Sequence, residues 1–189
     1  MKSQDIVILL KLVSLEEQER ASNRDGHNGP SSREDPYSVR SLGASLGISK
    51  SEVNASINRS CASGLALKGG PDGHAKPNRR DLCSFIIHGL KFVFPAKPGA
   101  MTRGIPTAFS APMLEPYLVA GGSYIYVWPY AHGKEMGQAV DPLFKSVPDA
   151  VQEDEKLYEY LALIDAIRLG RQREAKLASD RLSEKLLSR

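Results

Sequence analysis

The sequence predicts an α+β fold, a largely helical N-terminal half followed by a small antiparallel sheet and C-terminal helices. Apolar residues recur at helical spacing through the first ninety positions and again beyond residue 146. Between these regions, "KFVFP" and "SYIYVWPY" are short runs rich in β-branched and aromatic residues, as strands are. Glycines and short polar capping residues bound the helical segments.

A chain of 189 residues, 41% hydrophobic and 25% charged, has the composition of a soluble protein and the length for one medium domain or two small ones. The change of style places the boundary between domains spanning 1–90 and 91–189. Charge is unevenly divided. Tyr37 to Lys97 holds nine Lys/Arg against three Asp/Glu, Pro98 to Asp165 four against nine, and Ala166 to Arg189 seven against three. A basic block, an acidic block and a basic tail imply at least two functional surfaces. The apolar stretch "IVILLKLV" is broken by Lys11 and followed by Glu16, Glu17 and Glu19 without a small-residue cleavage site, which argues against a signal peptide. No run approaches the ~20 apolar residues of a membrane span. Two cysteines fit a reducing cytoplasm.

The first helix is expected over Gln4–Gln18, with Ile6, Leu9, Leu10 and Val13 on its apolar face. A polar, glycine-containing loop over 19–34 follows. In "EDPYSVRSLGASLG", Asp35 suits the N-cap and Pro36 the first helical position, with Val39, Leu42 and Leu46 on one face. Gly47 stands where a helix ends in the left-handed conformation, and Ile48 follows as a buried plug. "SKSE", Ser49 to Glu52, has the spacing of a capping box, and Val53 and Ile57 give the next helix its buried face.

Helix, glycine turn and capped helix over Val39–Asn58 make a helix-turn-helix. It resembles the motif of bacterial DNA-binding regulators: Leu42, Leu46, Ile48, Val53 and Ile57 stand at its apolar positions, Gly43 at its small position and Gly47 in its turn. The continuation "INRSCASGLALKGG" is similar to a recognition helix running into the first wing strand of MarR-like and related winged families. The resemblance covers about Asp35–Lys68. It implies an N-terminal winged helix-turn-helix that acts as a sequence-specific, double-stranded-DNA-binding transcriptional regulator, a cytoplasmic repressor and homodimer, reading the major groove with helix 49–63.

Short polar side chains suit a helix that must enter a groove about 12 Å wide. The exposed set expected is Ser49, Lys50, Ser51, Asn54, Ala55, Asn58 and Arg59. Asn54 and Asn58 match adenine edges, and Lys50 and Arg59 match phosphate or guanine. The alternative is a solvated helix in an ordinary hairpin. The segment "KGGPDGHAKPNRR" describes a flexible tip with Lys68, His74, Lys76, Arg79 and Arg80 against Asp72. Arg40, Lys68, Lys76, Arg79 and Arg80 are the phosphate-contact candidates. Alternatively Arg79 and Arg80 begin the next helix, capped by Asn78, carrying Leu82, Phe85 and Ile86 and ending at Gly89.

In the second half, "KFVFP" and "SYIYVWPY" are expected as strands, "AHGKEMGQAV" as a hairpin turn and return strand, and "AKPGAMTRGIPTAFSAPMLEP" as an irregular crossing. Ser146 and Pro148 start a short helix. Leu157, Leu161, Ile164 and Ile167 line a second, and Ala175, Ala178, Leu182 and Leu186 a third beyond Gly170. That stripe is either internal core or a dimer seam. Arg103, a cation in acidic surroundings, either anchors a small anionic effector or pairs with Asp141 or Glu115.

No phosphate-binding glycine loop occurs, and no cofactor is expected. The spacing of Cys61, His74, Cys83 and His88 does not match a compact zinc site, and His27 and His132 have no neighbouring nucleophile. No enzyme is expected. Two rival readings stand beside the regulator: an antitoxin whose acidic C-terminal domain binds a partner toxin, and an enzyme using Thr102, Arg103, Tyr124 and His132 and targeted to DNA by its first domain.

Overall fold

The computed structural model describes residues 1–24, 35–69, 73–117 and 125–188, and shows a mixed α+β protein. His27, Asp72, Tyr124 and residues 25–34 of the expected loop lie outside the described residues. The chain divides into two compact units, Met1–Arg79 and Arg80–Arg189, a boundary earlier in the chain than residue 90.

In the first unit, α1 spans Ser3–Arg24, so residues 19–24 of the expected loop are helix. The Asp5 carboxylate accepts the Lys2 backbone N–H at 2.8 Å and closes the first turn. Ile6, Leu9, Leu10 and Val13 are buried, and so are Val7, Ile8 and Leu12, so the middle of α1 is enclosed on every side.

Helix α2 runs Val39–Leu46 and begins later than Asp35 and Pro36 suggest. Its N-cap is Ser38, whose hydroxyl accepts the Ser41 N–H at 3.1 Å. Asp35 instead closes a local turn by accepting the Tyr37 N–H at 2.9 Å. The helix stops at Gly47, which is left-handed at φ 62° and donates back to the Gly43 carbonyl. Helix α3, Lys50–Ala62, follows from its N-cap Ser49. The junction is tight at Gly43, where an added Cβ would stand 2.6 Å from the Ile48 carbonyl oxygen. Gly43→Val should therefore force the turn apart and lower unfolding free energy by about 1–3 kcal/mol. A denaturant titration showing no change would mean that the turn has slack.

The buried stripe of α3 is Val53, Ser56 and Ser60, and Ile57 is only half-buried, in contrast to the expectation for Ile57. Two serines at helical spacing let α3 lie against α1, since a small side chain allows close approach. The strands β1 (Ala66–Leu67) and β2 (Lys76–Pro77) then form a two-stranded antiparallel ribbon in the register Ala66↔Pro77.

The second unit opens in α4, Arg79–His88, which begins at the unit boundary and ends before Gly89 as expected. "KFVFP" is helical at its start, α5 at Leu90–Val93, and not a strand. The supposed irregular crossing contains β3, Met101–Thr107, the central strand. Strands β4 (Tyr126–Pro129) and β5 (Glu135–Ala139) both pair antiparallel with β3, Gly104 facing Pro129 on one side and Glu135 on the other. Between themselves β4 and β5 are parallel, so the three strands close into a small barrel and "AHGKEMGQAV" is no simple hairpin. Short strands meet without edges this way.

Helix α6 (Val147–Ala150) leads to α7 (Glu155–Leu169), where the Asp154 carboxylate caps the Leu157 N–H at 3.0 Å. Gly170 separates α7 from α8, Gln172–Leu187. Leu157, Leu161, Ile164 and Ile167 are buried together with Ala178, Leu182 and Leu186 where the two helices pack, so the stripe is internal core. Beneath the barrel, Asp165 accepts from Trp128 Nε1 at 2.6 Å, Thr107 Oγ1 at 2.9 Å and Arg168 at 2.6 Å. No described helix is long and apolar enough to cross a membrane.

Candidate nucleic-acid interface

The first unit presents one polar helix face. At about 100° per residue, Ser51, Asn54 and Asn58 stand about 100°, 40° and 80° around the α3 axis from Lys50, within one quadrant or little more. All four are exposed, with Ser49 beside them at the N-cap, while Ala55 is half-buried. No ion pair or side-chain hydrogen bond among the described residues occupies Lys50, Ser51, Asn54 or Asn58. The face is short, uncharged except at Lys50, and rich in groups that both donate and accept.

Arg59 does not belong to it. At about 180° from Lys50 it points inward, where Nε and Nη2 bond the fully buried Asp5 carboxylate at 3.0 and 2.7 Å, and Nη2 also reaches Glu52 at 2.8 Å. The hydrogen bond to Asp5, outweighing burial, raises the guanidinium further above its ordinary value. Glu52 is likewise diverted. Ser49 Oγ accepts the Glu52 N–H at 3.3 Å, but the Glu52 carboxylate takes Lys2 at 2.9 Å and Gln4 at 2.7 Å, leaving half of the capping box. The network fastens α3 to the start of α1 and so fixes the angle at which the polar face is shown.

Burial would raise the Asp5 carboxyl, yet the hydrogen bonds from Arg59 and the Lys2 N–H hold it below its ordinary 3.8. A depressed acid stabilises the fold above its unfolded value and loses that contribution as pH falls through the folded one. Acid unfolding should therefore steepen below about pH 3.8. Asp5→Asn should remove that component from a stability–pH curve, and an unchanged acid limb would contradict the assignment.

The cations around the ribbon divide into two groups. Arg40 on α2, Lys68 beyond β1 and Lys76 on β2 are exposed, with no ion pair among the described residues. Arg79 is withdrawn: it bonds Glu16 at 2.8 Å and Glu17 at 3.0 Å on α1, and its side chain is 14% exposed. It ties α1 to the chain after the ribbon, and its guanidinium is turned to these carboxylates and not to solvent. Arg80 is exposed, but on the first turn of α4 in the second unit and not in the ribbon.

What holds the ribbon's base is not legible in local sequence, because its partners come from three segments. His74 stacks on Tyr37 with ring centroids 5.2 Å apart and stands 3.3 Å from Asp35. The Tyr37 hydroxyl donates to Glu19 at 2.9 Å, and burial together with that carboxylate raises the phenol above its ordinary value. The ribbon is thereby joined to the start of α2 and the end of α1.

Against known proteins, the chain matches no family model, no curated protein and no solved structure.

In the second unit Arg103 is exposed and donates to the Gly133 carbonyl at 3.3 Å; it pairs with neither Asp141 nor Glu115. Thr102 is half-buried and His132 is exposed beside Tyr130. Cys61 is half-buried, and buried Cys83 lies 3.5 Å from the Ser183 hydroxyl. Among the described residues no three His, Cys, Asp or Glu side chains group as metal ligands.

Proposed function

We propose that residues 1–79 form a winged helix-turn-helix that binds double-stranded DNA, and that the protein is a sequence-specific transcriptional regulator. One observation carries this reading: the exposed, unengaged face of Lys50, Ser51, Asn54 and Asn58 on the helix that follows the Gly47 turn. Asparagine amides offer a donor and an acceptor side by side, the arrangement adenine presents in the major groove. Ser49 and Ser51 at the helix N-terminus place hydroxyls and backbone N–H groups where phosphates bind. Arg40, Lys68 and Lys76 supply the sequence-independent attraction, with Lys68 and Lys76 flanking the ribbon tip. Arg59 and Arg79, both anchored internally, leave the contact set. Regulators of this build bind paired half-sites, so we propose a homodimer that acts as a repressor.

The test is selection of the full chain against a pool of random duplexes, then titration of the enriched duplex and a scramble at several salt concentrations. The enriched duplex should bind more tightly, with log K falling linearly against log salt. Lys50→Ala or Lys76→Ala should each reduce the slope by about one unit, whereas Arg79→Ala should leave it unchanged. Equal affinity for both duplexes would end the sequence-specific reading.

A further inference from the structure

A cavity of about 670 Å³ opens in the second unit between the barrel, the turn after α6 and helix α7. Its walls are apolar and aromatic, formed by Ile105, Pro106, Met113, Tyr130 and Tyr158. The Tyr158 hydroxyl donates to the Pro106 carbonyl at 2.5 Å and burial pushes the phenol up to about 12, so that wall is fixed and neutral. Size and lining fall in the range of small-molecule sites, which are largely apolar with a few polar groups.

The basic groups of the lining sit on one loop, residues 130–134. Lys134 and His132 both line the cavity, and Arg103 braces the loop through its 3.3 Å bond to the Gly133 carbonyl. Gln152 and Glu155 also line it. Neither Lys134 nor Glu155 is spent in an ion pair among the described residues, so the Lys134 ammonium is available to a ligand. The lining carries Lys134 and His132 against Glu155, with the Asp149 carboxylate beside Tyr130, and the unpaired Lys134 ammonium is the anchor it offers an anionic group.

We propose that this cavity binds a small aromatic carboxylate, its ring against Tyr130 and Tyr158 and its carboxylate on Lys134. The site lies wholly within the second unit and does not depend on the proposed DNA binding. It requires no chemistry beyond reversible association: an aromatic body exchanges water for apolar wall, and one charge-assisted hydrogen bond orients it.

The chain's single tryptophan provides the readout. Trp128 lies with its ring centroid 5.6 Å from that of Tyr158, a cavity wall, so its one indole N–H resonance senses occupancy. The full-length ¹⁵N-labelled protein is titrated, without DNA, with 2-naphthoate, 2-naphthamide and 2-naphthylmethylamine. Naphthoate should shift the indole signal saturably, with Kd about 1 mM or tighter. The amide, the amine and the Lys134→Gln variant with naphthoate should each bind at least about fivefold more weakly. Lys134 is exposed on a loop, so the variant should keep the wild-type spectrum. No saturable shift with naphthoate would overturn the proposal. So would amide or amine binding as tight as the acid, or Lys134→Gln binding like wild type. Because DNA is absent, failure here leaves the regulator reading untouched, and failure of the duplex selection leaves this site untouched.

Discussion

Asp165→Ala should lower the unfolding free energy of the second unit by about 3–5 kcal/mol. Asp165 and Arg168 have side chains only 1% and 4% exposed, and their 2.6 Å contact is the centre of a wider arrangement. The carboxylate also accepts from Trp128 and Thr107, and Arg168 donates to the carbonyls of Phe94, Pro95 and Asp141. Alanine would leave a buried guanidinium without its counter-charge and two buried donors without an acceptor. Burial raises the Asp165 carboxyl above its ordinary 3.8 despite the pull of Arg168, so its ionisation costs stability as pH climbs through the raised value. The substitution removes that cost, but the stranded Arg168 outweighs it. A urea titration followed by Trp128 fluorescence reads the unit directly. A change below about 1 kcal/mol would show that the network relaxes or admits water freely.

The second large effect concerns recognition and not folding. Asn54→Ala and Asn58→Ala should each reduce discrimination between the selected duplex and its scramble by about 1–3 kcal/mol, if each amide makes a bidentate contact to an adenine. Both side chains are exposed and engaged by nothing else described, so thermal stability should stay within about 0.5 kcal/mol of wild type. Arg59→Ala is the informative contrast. It uncovers the fully buried Asp5 carboxylate and should destabilise the first unit by about 2–3 kcal/mol, discounted for the partial exposure of the guanidinium. Base discrimination at a temperature where the variant is folded should persist. If instead Arg59→Ala removed discrimination and the asparagine variants did not, the polar face of α3 would not be the reader.

Much of the first unit could be read locally. Ser49 as a cap, Gly47 as a left-handed stop, Gly43 as a close approach and Leu42, Leu46 and Val53 as core follow from interactions that reach three or four residues along the chain. The polar face of α3 was legible for the same reason, because helical spacing alone sorts Lys50, Ser51, Asn54 and Asn58 to one side. The start of α2 was misplaced because Asp35 and Ser38 both suit a cap, and only the fold shows Asp35 closing a turn ahead of the helix.

Arg59 and Arg79 are engaged internally, in contrast to the exposed placement expected of them, and the cause is physical. A basic side chain in a basic stretch looks free to meet phosphate, but its partner here lies far away in sequence. Arg59 finds Asp5 and Arg79 finds Glu16 only after α1 has packed beside the chain that follows it. Within the second unit the same distance effect hid β3, whose Pro106 and Gly104 look like turn residues until β4 and β5 close on either side. By itself, then, the sequence determined most of the helices, the Gly47 stop, the Ser49 cap and the polar face of α3, because periodicity and capping act within a few residues. The tertiary structure alone decided which charges are neutralised, how three short strands close into a barrel and where a cavity opens. Those outcomes depend on groups far apart in the chain, such as Asp5 with Arg59 or Gly104 with Pro129 and Glu135, brought together by burial of apolar surface.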